Sequence, residues 1–129
     1  MNIDYITNET SIIFDPEYNS PLHSILNTQA NYKKIIFSNY ELSDELFEAY
    51  ENDDFKDLKC IVSKFNCPLL NSLDNCTELT HIIFGYYFNQ HLANSLDNCT
   101  QLTHIKFDHK FSQPLANSLD NCTSLTHIT

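Results

Sequence analysis

The chain has 129 residues, with seven lysines, no arginine and seventeen carboxylates for a formal charge of −10, and a single glycine, Gly85. That length supports one domain with one core, and the lone glycine excludes a collagen-like, glycine-linker or phosphate-loop reading. A carboxylate surplus without arginine argues against grip on a phosphate backbone, and no run approaches the ~20 apolar residues of a membrane helix.

In chain order, MNIDYITNET lacks the basic start and apolar run of a signal peptide, so the expected compartment is the cytosol. The first marker is Ile12-x-Phe14, followed by Tyr18-Asn-Ser-Pro-Leu22; the second is Ile35-x-Phe37. After Phe37 the pattern breaks into an irregular acidic unit, 38–57. Eight of the seventeen acidic residues fall between Glu41 and Asp57. Ser43 or Asp44 is placed to cap a short helix there, with Leu46, Phe47 and Tyr50 on its apolar side. Its acidic side reads as a solvated face or an interaction patch.

Leu58-Lys-Cys-Ile61 reads as a weak strand copy, and Phe65-Asn-Cys-Pro-Leu69 restores the pattern. From Asn71 the chain repeats outright: NSLDNCTELTHIIFGYYFNQHLA, then NSLDNCTQLTHIKFDHKFSQPLA, then NSLDNCTSLTHIT to Thr129. Marker isoleucines at 12, 35, 61, 82, 105 and 128 are spaced by 23, 26, 21, 23 and 23 residues, so the repeat spans 1–129 as a single domain.

Within a unit, Leu-x-x-Ile-x-Phe alternates as a short strand with Ile and Phe inward. One copy has nowhere to bury that face, so copies stack into a parallel sheet. The return path carries Leu115, Leu119 and Cys122 at helical offsets and predicts a helical turn or two after Pro21, Pro68 and Pro114. Asn19, Asn66 and Asn89 share one slot, with Ser112 as substitute, and are expected to form a buried amide ladder. Cys76, Cys99 and Cys122 share another slot and read as small buried hydrophobes. With Cys60 and Cys67 they are expected to be free thiols.

Phe88-Asn-Gln-His-Leu92 and Leu79-Thr-His-Ile-Ile-Phe-Gly85 closely resemble the FNIP repeat, a variant of the leucine-rich repeat abundant in social amoebae and in large DNA viruses of amoebae. His91 stands where that family has Pro, and Asp108 where it usually has Gly. The resemblance implies an α/β repeat fold: a short leucine-rich-repeat-like solenoid of about six turns of about 23 residues, with a parallel sheet on one face and short helical or irregular segments on the other. For a viral product the compartment would be the host's cytoplasm. Family members often carry an F-box and serve as substrate receptors of ubiquitin ligases. Only eleven residues precede Ile12 here, so the expectation is at most an adaptor lacking that element.

His81, His104 and His127 occupy one outward strand position. Three adjacent imidazoles could meet a metal ion, but parallel ligands do not converge on a tetrahedral centre, and an exposed ladder inherited by duplication is the preferred reading. Such a column should be pH-sensitive. Lys34 and Cys60 are read into the same slot in earlier turns, and Ile36, Val62, Ile83, Lys106 and Thr129 into the neighbouring outward slot. No catalytic motif and no cofactor site is legible. The function expected is a non-enzymatic scaffold binding an unidentified protein through the open strand face at His81, Ile83, His104, Lys106 and His127. A strand edge at Leu125 to Thr129 offers self-association as a further mode. A repeat fragment without a specific partner is the bland alternative.

Overall fold

Ile and Phe at alternate positions bury one side of a strand, and burial is complete only when the next copy lies alongside. The structure, a computed structural model describing residues 3–26 and 31–129, meets that requirement with a six-stranded sheet in sequential order. Its strands are β1 (Tyr5–Thr7), β2 (Ser11–Phe14), β3 (Lys34–Phe37), β4 (His81–Ile83), β5 (His104–Lys106) and β6 (His127–Ile128). β2 to β6 are parallel, with Ile12, Ile35, Ile82, Ile105 and Ile128 in one register row. β1 pairs antiparallel with β2 and covers its outer edge. The Asn8 side-chain carbonyl closes that hairpin by accepting from the Thr10 and Ser11 amides.

The chain is thus a solenoid of about five turns, with one continuous core under the sheet. Two aromatic columns run along it. Phe14, Phe37, Phe84 and Phe107 stack with centroids 5.0, 5.7 and 5.6 Å apart, and Tyr18, Phe65, Phe88 and Phe111 follow at 6.2, 5.9 and 6.1 Å. Such pairs gain about 0.5–1.5 kcal/mol each beyond their buried area.

The return paths differ from expectation. Among the described residues that follow the aromatic-x-x-x-Leu signature, only the first path contains an α-helix, α1 (His23–Leu26). In the others Ser95, Asp97, Cys99 and Leu102 each donate their amide to a carbonyl three residues back, and the same chain of turns recurs from Leu69 and from Leu115. Leu70, Ala93 and Ala116 enter these turns at positive φ (48°, 46° and 35°), which stops an α-helix from starting. Leu115, Leu119 and Cys122 therefore share a side through successive turns. The Asn ladder is present but on a solvent-facing corner. Asn66 N–H donates to Asn19 Oδ1 at 2.8 Å, Asn89 N–H to Asn66 Oδ1 at 2.8 Å and Ser112 N–H to Asn89 Oδ1 at 3.0 Å, with Asn19 and Asn66 exposed.

The largest correction concerns the turn count. β3 pairs directly with β4, so Leu58–Ile61 is not a rung of the ladder, and Cys60 makes only an isolated antiparallel bridge with Tyr40. In the regular turns the two aromatics are four positions apart, as are Phe84 and Phe88. Between Phe37 and Phe65 the same step carries residues 39–62 as an insertion. Asn39 locks its base: its Oδ1 accepts from Ser63 N at 2.8 Å and Tyr86 N at 3.1 Å, and its Nδ2 donates to Asp108 Oδ2 at 2.7 Å. Gly85 is required beneath this clasp, since a Cβ there would lie 2.2 Å from the Ser63 Cβ.

The insertion holds α2 (Leu46–Asn52), close to the predicted helix. Glu45 takes the cap position without a side-chain hydrogen bond, in place of the expected Ser43 or Asp44. Its apolar side does not face solvent. Leu46 and Ala49 pack onto Ile13 and Ile36, on the outward side of β2 and β3, with Phe47, Tyr50, Phe55 and Leu58 around them as a second core. No helix among the described residues is long and apolar enough to cross a membrane.

Candidate functional site

On the outer face of the sheet, strand pleating sends the residues before and after each marker Ile away from the main core. Register then stacks them: His81 beside His104 beside His127, and Ile83 beside Lys106. The imidazole rings lie 4.3 and 4.2 Å apart, each pair within 7° of parallel. A threonine precedes each one. Thr80, Thr103 and Thr126 hydroxyls contact the following Nδ1 at 2.9, 2.8 and 2.8 Å. Those hydroxyls also donate to the Lys33, Thr80 and Thr103 carbonyls at 3.0, 3.0 and 3.2 Å. A hydroxyl has one proton, so its oxygen is left to accept at the ring. The network therefore places a proton on Nδ1 of each ring and leaves the Nε2 edges outside these hydrogen bonds.

Charge on this column is costly. Burial, then His104, Lys34 and His127, brings the His81 pKa down from 6.5 to about 4. His104 is lowered by the same desolvation and by His127 and Lys34. Parallel rings also aim their Nε2 lone pairs side by side rather than at a common point, a poor geometry for one tetrahedral ion. Among the described residues no group of three His, Cys, Asp or Glu is arranged to hold a metal.

The five residues singled out by sequence share this face, but their surroundings differ. His104 and Lys106 lie beyond the insertion, His127 and Ile128 are exposed at the sheet edge, and Ile83 packs against the second core. Val62 and Cys60, expected in the outward slots, lie in the insertion outside the sheet. Ile36, expected in an outward slot, is 3% exposed under α2, and its neighbour Ile13 is fully buried. The N-terminal half of the face is thus covered by the chain itself. Two signals pointed there: the uneven spacings of 26 and 21, which bracket the insertion, and an amphipathic helix in need of an apolar seat.

No protein-family model, curated protein or solved structure matches this chain. The site must be argued from its own chemistry. All five cysteines are free. Cys76, Cys99 and Cys122 line the core, where burial pushes the first two thiols up to about 11 and about 12 and raises the third. Such thiols are poor nucleophiles. On the outer strand face, a row of imidazoles and a lysine stay accessible.

Proposed function

We propose that this chain is a non-enzymatic repeat scaffold that binds another protein through the part of its strand face left open by the insertion. His104, Lys106 and His127 form the contact surface, with His81 and Ile83 at its boundary. The reading is supported above all by the stacked histidine column, whose rings are held in one orientation by three threonines while their Nε2 edges stay free. Preorganised side chains on rigid strands lose little entropy on binding. We further propose kinship with the FNIP and leucine-rich repeats, on the motifs Leu79 to Gly85 and Phe88 to Leu92.

The test is a photo-crosslinking residue at position 106, compared with one at Asn98 on the return side. A protein captured at 106 and not at 98, with capture lost on His104→Glu, supports the reading; equal capture at both positions overturns it. Ile83→Glu is a poor probe, because Ile83 also supports the second core.

A second reading rests on the β6 edge, where Ile128 is 52% exposed. A second copy can add a strand there. Sedimentation equilibrium of the 129-residue chain decides it: concentration-dependent dimers support the edge as a contact, and a monomer at all concentrations removes it.

A further inference from the structure

The open half of the face has a charge opposite to that of the protein around it. Along β2 to β6 the outward positions are Ser11 and Ile13, Lys34 and Ile36, His81 and Ile83, His104 and Lys106, then His127. Every ionisable residue among them is a base, on a chain of formal charge −10. The nearest carboxylate along β5, Asp108, is occupied by Asn39 Nδ2 at 2.7 Å and the His109 amide at 2.8 Å.

The chain also shows what this face accepts. Its covered half seats an acidic amphipathic segment, with Leu46 and Ala49 buried while Glu45 and Glu48 point to solvent. Where that segment ends, a cleft of about 220 Å³ opens beside the head of the histidine column. Ile36, Ile83, Phe47 and Tyr50 line it on the apolar side, with Lys34, His81 and Glu51 among its polar lining. Such a cleft has room for one apolar side chain beside a carboxylate.

We propose that the open half of the face binds an acidic segment of a partner protein, laid across β4 to β6 with carboxylates against Lys106 and the histidine Nε2 edges and one apolar side chain in the cleft beside α2. This deepens the scaffold reading and rests on it. Burial and neighbouring bases hold His81 and His104 below their ordinary value, and carboxylates docked beside them favour protonation. Lys34, Lys106, Glu51, Tyr50 and Asp108 are the other ionisable groups near that site; Asp108 is engaged by Asn39, while Glu51 lines the cleft and leaves Lys106 as the main seat for a carboxylate. Opposite charges across an interface favour encounter and register.

The experiment uses the full chain and a fluorescent decapeptide of nine glutamates with one central phenylalanine. Anisotropy measures affinity, and NMR follows each histidine Cε1–H. The expected result is movement of the His81, His104 and His127 resonances with His91 unmoved, and affinity at least threefold tighter at pH 6.0 than at 7.5. Lys106→Glu should weaken binding at least tenfold and Lys64→Glu less than twofold. Absence of glutamate-peptide binding, or equal binding by Lys106→Glu, overturns the proposal. Should position 106 still crosslink a protein when the peptide fails, the acidic partner is wrong and the scaffold stands. Failure of both removes both.

Discussion

The two halves of the outer strand face are built on one ladder and end up in opposite environments. On β2 and β3 the outward isoleucines Ile13 and Ile36 are buried under α2. On β5 the residue in the same register row is Lys106, in solvent. Repetition specifies the slot, whereas the environment of a slot depends on what crosses over it. The covered half is sealed into the second core, whereas the open half has no part of the described chain laid over it.

The strongest way to break this contrast is to remove the cover. Joining Ser38 to Ser63 restores the four-residue aromatic step of the other turns and exposes Ile13 and Ile36. At about 1.5–3 kcal/mol per fully buried side chain, the loss should be ~3–6 kcal/mol. Urea unfolding and binding of a hydrophobic dye check it; a shortened chain as stable as the parent, with no new dye binding, would falsify the role of the insertion as a second core.

A matched pair of substitutions sharpens the comparison. Ile36→Asp puts an unpaired charge between Leu46 and Ala49, at a cost of ~4 kcal/mol. Lys106→Asp, in the same register row, should stay within ~0.5 kcal/mol. Similar unfolding midpoints for the two variants would show that the halves are not different after all.

Acidification tests the open half. His81 is held at about 4 in the folded protein against an ordinary 6.5. Between those values the unfolded chain binds a proton that the native column refuses, so stability falls as pH drops from 6.5 toward 4. His104, lowered in the same sense, adds to the slope. Urea midpoints at pH 7.5 and 5.0 should therefore differ, and His81→Gln should flatten the difference. An unchanged slope in that variant would place the acid sensitivity elsewhere.

A modest effect belongs to the corner that both halves share. Asn89→Ala removes the acceptor for the Ser112 amide and for Gln113 Nε2, a loss of ~1 kcal/mol because both donors can turn to water. Asn66→Ala should cost about the same. A loss several times larger at either position would mean that the ladder is more buried than its exposed corner implies.

Much of this molecule was legible from residues alone. Ile-x-Phe markers predicted the parallel ladder and its inward rows, and identical register made the histidine column unavoidable once the strands were placed. The amphipathic pattern of Leu46, Phe47 and Tyr50 announced α2. Two readings failed for local reasons. Helical offsets at Leu115, Leu119 and Cys122 arise equally from repeated three-residue turns, and only the backbone at Ala116 distinguishes them. Leu58–Ile61 mimics the strand marker, yet β3 had already found its partner in β4. The β1 hairpin carries no repeat marker; its only signals are the alternation of Tyr5-Ile6-Thr7 and the turn residue Asn8.

By itself, then, the sequence determined that this chain stacks. A 23-residue period with inward Ile and Phe has no other way to keep its apolar rows from water. Tertiary structure alone decided which outward residues remain available. That outcome depends on where residues 39–62 fall back, through contacts between Leu46, Ala49, Ile13 and Ile36 that lie far apart in the chain and follow no period.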